Sequence, residues 1–217
     1  MSLFNISQTA LKKFLGPFYT YYNIVWKNQE HRYETVYYDF ETTGLNPFTS
    51  KIIEYAFMKS KNDFITSLVD PQTKFEFKIT QITGIYPDDI VDKPTILEKM
   101  EEILRYILED NTDTYLVAHN NDGFDKWFLK CVLNEYTDIE FSRFKYIDTL
   151  ILAKMLIPTL RSFSMKTLCQ HFDIKLNNHR AFNDTDELKQ VYDKLLELLN
   201  ERMFVSSKKK KKNPSIV

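Results

Sequence analysis

Between residues 35 and 80 the apolar positions fall in short runs broken by turn residues. "ETVYYDFE" reads as a first strand, and Gly44 and Pro47 end it in a turn. "KIIEYAFMKS" and "FITSLVD" read as the second and third strands. After the turn at "PQ", the alternation in "KFEFKI" predicts one more short strand.

Farther along, the apolar period lengthens. In "KPTILEKMEEILRYILED" apolar residues stand at Leu97, Met100, Ile103, Leu104, Ile107 and Leu108, the stripe of an amphipathic helix. Thr95 and Glu98 form a capping box at its start. "TYLVAH" predicts a strand over Thr114–His119. "GFDKWFLKCVLNEY" predicts a helix with Phe124, Phe128, Cys131 and Val132 on one face and Asp122 as its N-cap. "FKYI" is a short strand, and Asp148 caps a helix "TLILAKML" that stops at Pro158. "SMKTLCQHF" predicts a short helix capped by Ser164. "DTDELKQVYDKLLELLNERMF" predicts a long amphipathic helix through Leu188, Val191, Tyr192, Leu195 and Leu199.

Three consecutive strands favour an antiparallel meander. The later strands alternate with helices, which favours parallel additions to the same sheet. The expected fold class is therefore α/β, a mixed sheet with helices on both faces. Residues 1–33 are expected to form an N-terminal extension, with a short helix before Gly16-Pro17 and a strand-like "YTYYNIVW". Residues 34–204 are expected to form one domain, and 205–217 a basic, disordered tail.

Composition changes this picture little. A hydrophobic share of 43% and a charged share of 27% are ordinary for a globular chain, and 217 residues suit one domain with a real core. No run of about 18 apolar residues is present, so no membrane partner is expected. The first residues lack a signal-peptide pattern, which points to the cytoplasm or nucleus. Cys131 and Cys169 stand far apart in apolar, helical contexts and are expected to be reduced; no CxxC pattern suggests zinc. The formal net charge is −1, yet five positive charges stand together at Lys208–Lys212, so the body is acidic and the tail basic. The lysine run reads as a nuclear signal, a tether to a phosphate backbone or a solvated tail. An acidic body that binds a polyanion needs metal ions or a local basic rim.

Three acidic clusters carry candidate chemistry. In "VYYDFETTGLNP", Asp39 and Glu41 are two apart on a strand and share a face. Two carboxylates there repel unless a proton or cation lies between them, and hard oxygen ligands suit Mg²⁺ or Mn²⁺. An edge strand with both groups in solvent is the alternative. In "AHNNDGFD", Asp125 falls in the first turn of a helix at the carboxyl end of a strand, where open sheets bind ligands; serving the helix dipole is its alternative. In "NNHRAFNDTDEL", His179 precedes Asp184 by five residues, which puts the histidine on a loop and not on the aspartate's helical face. A solvated loop histidine is the plainer reading. Trp127 lies off its helix's apolar face and either packs under a loop or stacks on a base.

Taken together and in this order, "DFETTG", "HNNDGFD" and "HRAFND" resemble the three motifs of the DEDDh, DnaQ-like 3′→5′ exonuclease family, which holds proofreading exonuclease subunits and domains and ribonuclease T. The resemblance runs from about Thr35 to Leu199 and takes in "QITGIYPDDI" and "MKTLCQHFDI"; no motif residue departs from the pattern. It implies a ribonuclease-H-like fold with a mixed five-stranded sheet. It implies Asp39, Glu41, Asp125 and Asp184 as ligands of two Mg²⁺ or Mn²⁺ ions, and His179 as general base. It further implies that the backbone around Thr42 and Thr43 meets the terminal nucleotide, with Leu45 wedged beside its base and Asn120 and Phe124 close to the same pocket.

The expected activity is removal of nucleoside 5′-monophosphates from nucleic-acid 3′ ends, single-stranded or frayed, with DNA favoured because "DFETTG" and "ITGI" look most like polymerase-associated proofreaders. A DNA polymerase is a candidate partner. Trimming of RNA is the alternative within the class. A non-catalytic module that binds nucleic acid or scaffolds a polymerase is the alternative outside it, and a missing carboxylate would favour it.

Overall fold

The computed structural model describes residue 25 and residues 34–108, 114–136, 144–177 and 180–211, with side chains of the last helix as far as Glu201. Three strands come first: β1 (Thr35–Thr42), β2 (Ile52–Ser60) and β3 (Asp63–Leu68). Two more follow later, β4 (Thr114–Ala118) and β5 (Phe144–Asp148). They form one sheet in the order β3-β2-β1-β4-β5. β1 pairs antiparallel with β2 and β2 with β3, whereas β4 runs parallel to both β1 and β5. The meander with parallel additions is thus as expected, and β1 is the central strand.

The helices are α1 (Phe77–Thr83), α2 (Pro87–Ile90), α3 (Ile96–Ile107), α4 (Asp125–Tyr136), α5 (Thr149–Leu156), α6 (Met165–His171) and α7 (Ala181–Lys211). Three of the four predicted caps hold. Thr95 Oγ1 accepts from Glu98 N–H while Glu98 reaches back to Thr95 N–H, Asp148 accepts from Leu150 N–H, and Ser164 accepts from Thr167 N–H. Each satisfies a helix donor that has no partner inside the helix.

Two apolar layers sandwich the sheet. Tyr37 and Met58 pack against Leu152, Leu168, Leu188, Val191 and Leu195, on the face covered by α5, α6 and α7. Tyr38, Phe40 and Phe57 pack against Met100, Ile103, Phe128 and Val132, on the face covered by α3 and α4. The strand alternation of β1 therefore sends successive residues to different layers. Among the described residues, no helix is long and apolar enough to cross a membrane.

Two sequence expectations need correction. "KFEFKI" is not a strand: Lys74–Glu76 lie outside any regular element, and α1 begins at Phe77. Phe75, just ahead of α1, and Ile79 within it pack on Ile53, Ile85 and Ile90, contacts that a six-residue alternation does not reveal. Gly84 ends α1 with φ of 71°, a conformation open to glycine, and its N–H donates to Thr80 O. Asp122 is not the cap of α4; it lies in a 3₁₀ turn, Asn121–Gly123, and its carboxylate pairs with Lys126 at 2.8 Å. Val25, from the expected extension, is helical and fully buried beside Tyr37, and α7 continues through Lys211 into the expected tail. The other expectations for residues 1–33 and 212–217 lie outside the described residues.

Candidate active site

On β1, Val36, Tyr38 and Phe40 enter one apolar layer, so Tyr37, Asp39 and Glu41 point to the α7 side. The edge-strand reading of the two carboxylates fails, since β1 has neighbours on both sides. Small Ala56 lies across from Asp39, and Glu54 lies across from Glu41. The first turn of α7 brings Asp184 onto this face. Ligand oxygens of Asp39, Glu41 and Asp184 all lie within 4.8 Å of one another, and the three residues are half-buried.

Asp125 arrives from the other flank. The β1–β4 ladder ends at Tyr37 and Val117, which leaves the N–H of Phe40 beyond the last rung. The buried carboxylate of Asp125 takes that N–H at 3.3 Å, which sets it against the residue that follows Asp39 in the chain. It also stands in the first turn of α4, where the dipole reading places it.

The turn that delivers Asp125 is held by buried polar groups. Asp148, at the end of β5, accepts from the N–H groups of Asn120 (3.0 Å), Asp122 (3.1 Å) and Leu150 (2.9 Å). Asn121 is fully buried; its amide donates to the carbonyls of Leu116 (3.3 Å) and Ile147 (3.0 Å) and its oxygen accepts from the Tyr38 hydroxyl. His119 shares a 2.9 Å hydrogen bond with Thr149, and burial pushes its pKa down to about 4, so the ring is neutral at physiological pH. A Cβ at position 123 would meet Asn120 Oδ1 at 2.5 Å, so the Asn120 side chain would have to shift to admit one.

Replacing Asn121 with Leu is expected to strand the Tyr38 hydroxyl in an apolar layer and release two buried carbonyls. Unsatisfied buried groups cost about 1–3 kcal/mol each. A loss of about 2–4 kcal/mol is expected, read from the urea midpoint, together with reduced activity as Asp125 loses its mount.

The electrostatics follow from the geometry. Burial, and then repulsion from Asp125, Glu41, Asp184 and Glu54, raises the pKa of Asp39 well above the usual carboxylate range. Burial and then Asp184 and Glu54 push Glu41 up to about 8, against an opposing pull from Arg180. Burial also raises Asp125, although the Phe40 N–H works against it. Such a cluster is unfavourable as it stands and becomes favourable around a cation. Its donors are carboxylate oxygens alone, the set that hard divalent ions take, so the residues fit Mg²⁺ or Mn²⁺.

The β1–β2 turn forms the exposed lip beside these carboxylates. Thr42 is buried, with its hydroxyl donating to Gly44 O at 2.7 Å. Thr43 N–H is committed to Lys51 O at 2.8 Å, and its hydroxyl accepts from Lys51 N–H at 2.9 Å. Leu45 and Phe48 project into solvent, 84% and 79% exposed. Asn120 adopts φ of 60° in the turn before Asp125. Phe124 packs on Phe128 at 4.8 Å and belongs to the α3–α4 layer. Trp127 is part-exposed, and its indole N–H donates to Asp122 O at 2.8 Å. His179 lies outside the described residues.

Sequence reasoning missed Glu54, Arg180 and Asn121. Glu54 is buried and receives Arg180 in a fork. The available signal was a single charge inside the apolar run of "KIIEYAF".

A family model described as "RNase_T: Exonuclease" matches residues 36–192. The DNA polymerase III PolC-type protein of Bacillus subtilis strain 168 is 33% identical over 166 residues, 74% of this chain and 11% of that protein. The PolC-type protein of Caldanaerobacter subterraneus is 35% identical over 174 residues, 77% of this chain and 12% of that protein. The chain thus spans about an eighth of the length of these curated relatives. Among solved structures, Escherichia coli exonuclease I with a 5cy-dT13 oligonucleotide superposes with a TM-score of 0.65 at 19% identity, over 79% of this chain and 42% of the other. A zinc-bound complex of the same enzyme with single-stranded DNA gives 0.62 at 19% identity, over the same shares. At that identity the likeness is one of fold.

Proposed function

The chain belongs to the DnaQ-like family of 3′→5′ exonucleases, and from that premise we propose that it hydrolyses single-stranded or frayed DNA from the 3′ end, releasing nucleoside 5′-monophosphates. The observation that carries the proposal is the meeting of Asp39, Glu41 and Asp184 within 4.8 Å, with Asp125 on the flank of the same strand. Two divalent ions, Mg²⁺ or Mn²⁺, held by these four carboxylates supply Lewis-acid stabilisation of negative charge on the phosphate when bound. All four carboxylates are present, which argues against the non-catalytic reading.

The chain's own groups do the rest. β1 fixes Asp39 and Glu41 on one face, α7 sets Asp184 against them, and the Asp148–Asn121 turn sets Asp125. His179 takes the proton of the attacking water; a histidine's ordinary pKa of about 6.5 suits that task near neutrality. Exposed Leu45 and Phe48 offer an apolar edge on which the last base stacks.

The preference for DNA draws on the relatives: PolC-type proteins are DNA polymerases by name, and the exonuclease I structures hold DNA oligonucleotides. The same relatives make a DNA polymerase the candidate partner. The test is purified protein with Mg²⁺ or Mn²⁺ on 5′-labelled DNA and RNA, single- and double-stranded, beside an Asp184→Ala control that stays folded. Progressive shortening of single-stranded DNA by the wild type alone supports the proposal. Faster shortening of RNA reverses the substrate preference, and equal activity in the control removes the assignment of the site.

A further inference from the structure

We propose that Glu54 and Arg180 are a positioning pair for the acidic site, fixing the first turn of α7 and hence the place of Asp184 against Asp39 and Glu41. The proposal rests on the functional reading of that site given above. Glu54 sits on β2 directly across from Glu41 and is 4% exposed. It accepts from Arg180 Nε at 3.0 and 3.2 Å and from Nη2 at 2.6 Å, and its second oxygen accepts the backbone N–H of Ala181 at 2.9 Å. Ala181 is the first residue of α7, and its N–H is among the donors a helix leaves open. The carbonyl of Arg180 in turn receives the N–H of Asp184 at 3.0 Å. Glu54 therefore grips both sides of the peptide on which Asp184 rests. One turn farther along α7, buried Glu187 accepts from the backbone N–H of Asn177 at 2.6 Å and from its amide at 3.2 Å. The residues on either side of Asn178 and His179 are thus both tied down.

The pair is poorly explained as a stabilising contact. Glu54 is buried while the Arg180 side chain is 45% exposed, so the cost of burying the carboxylate offsets much of what the pair gains. Glu54 also adds a negative charge to a face that already carries Asp39, Glu41 and Asp184. An apolar pin would hold α7 without that repulsion. What the pair supplies is direction: a planar guanidinium on a carboxylate fixes both partners in angle as well as distance. Arg180 meanwhile returns the positive charge that Glu54 requires.

The test separates geometry from charge. Glu54→Gln removes the charged fork and leaves Arg180 uncompensated. Glu54→Gln with Arg180→Gln removes the fork and keeps the net charge of the wild type. Mn²⁺ binding to the full chain is measured by calorimetry, with thermal melting on the same samples. Both variants are expected to bind Mn²⁺ about tenfold or more weakly than wild type, as loss of a group that orients a ligand does elsewhere. Wild-type affinity in the double variant would overturn the proposal, because it would show that the pair acts through charge alone. Where a glutamine variant melts below the assay temperature, Arg180→Lys keeps the charge and loses the fork; weakened binding supports the proposal and unchanged binding overturns it. Absence of Mn²⁺ binding by the wild type overturns instead the reading of the acidic site, and the pair's proposed role with it.

Discussion

Asp39→Asn is expected to lower hydrolysis by about 10³-fold or more and, at the same time, to raise the melting temperature of the metal-free protein. The first effect follows from electrostatic stabilisation of the developing charge, usually the largest contribution to catalysis. Asp39 lies on the central strand with Glu41 and Asp184 beside it, so the amide weakens the whole ligand set. The second effect follows from the same geometry. Burial and repulsion from Asp125, Glu41, Asp184 and Glu54 all disfavour the charged form of Asp39, and the asparagine carries no charge to disfavour. Activity lost with stability gained marks a functional site held under strain, whereas a structural residue would lose both. Nuclease rates and melting curves in chelator, on one preparation of each protein, check the pair of outcomes.

Metal binding is expected to reshape the dependence of stability on pH. Glu41 has its folded-state pKa pushed up to about 8, and Asp39 and Asp125 are raised as well. Unfolded carboxylates titrate near about 4. Between about pH 4 and pH 8 the metal-free folded state therefore binds more protons than the unfolded state, and its stability falls as pH rises through that window. Divalent ions replace those protons, so their effect is small at pH 5 and large at pH 8. At a concentration 100 times the dissociation constant, one bound ion adds about 2.7 kcal/mol. For a chain of this size that is a rise of about 5–10 °C. Melting curves with chelator and with Mg²⁺ at pH 5 and pH 8 measure it. A rise of equal size at both values would show that the carboxylates do not hold the ions.

Much of this was legible in the sequence. Strands β1 and β2 announce themselves by apolar runs between turn residues, and α3, α5 and α6 by their caps. The mixed sheet followed from the meander and the later parallel additions. Asp39 and Glu41 were conspicuous as charges inside an apolar strand, and Asp125 and Asp184 as acids in the first turn of a helix. "KFEFKI" was misread because a few alternating residues fit a strand, while the residues that Phe75 and Ile79 pack on lie on β2 and after α1. Asp122 was misread as a cap because the chain takes a 3₁₀ turn before α4 begins. Glu54 and Arg180 stayed hidden because they meet across 126 residues, a distance that no local periodicity spans. Asn121 stayed hidden for a similar reason: its partners, Tyr38 and the carbonyls of Leu116 and Ile147, come from three different strands.

The most direct test follows a label placed on the 3′-terminal nucleotide of a single-stranded DNA. The account predicts that the label leaves first, as a nucleoside 5′-monophosphate, in Mg²⁺ or Mn²⁺ and not in chelator, and that Asp39→Asn retains it. Release of the label as longer oligonucleotides, or at an undiminished rate in chelator, would contradict the account.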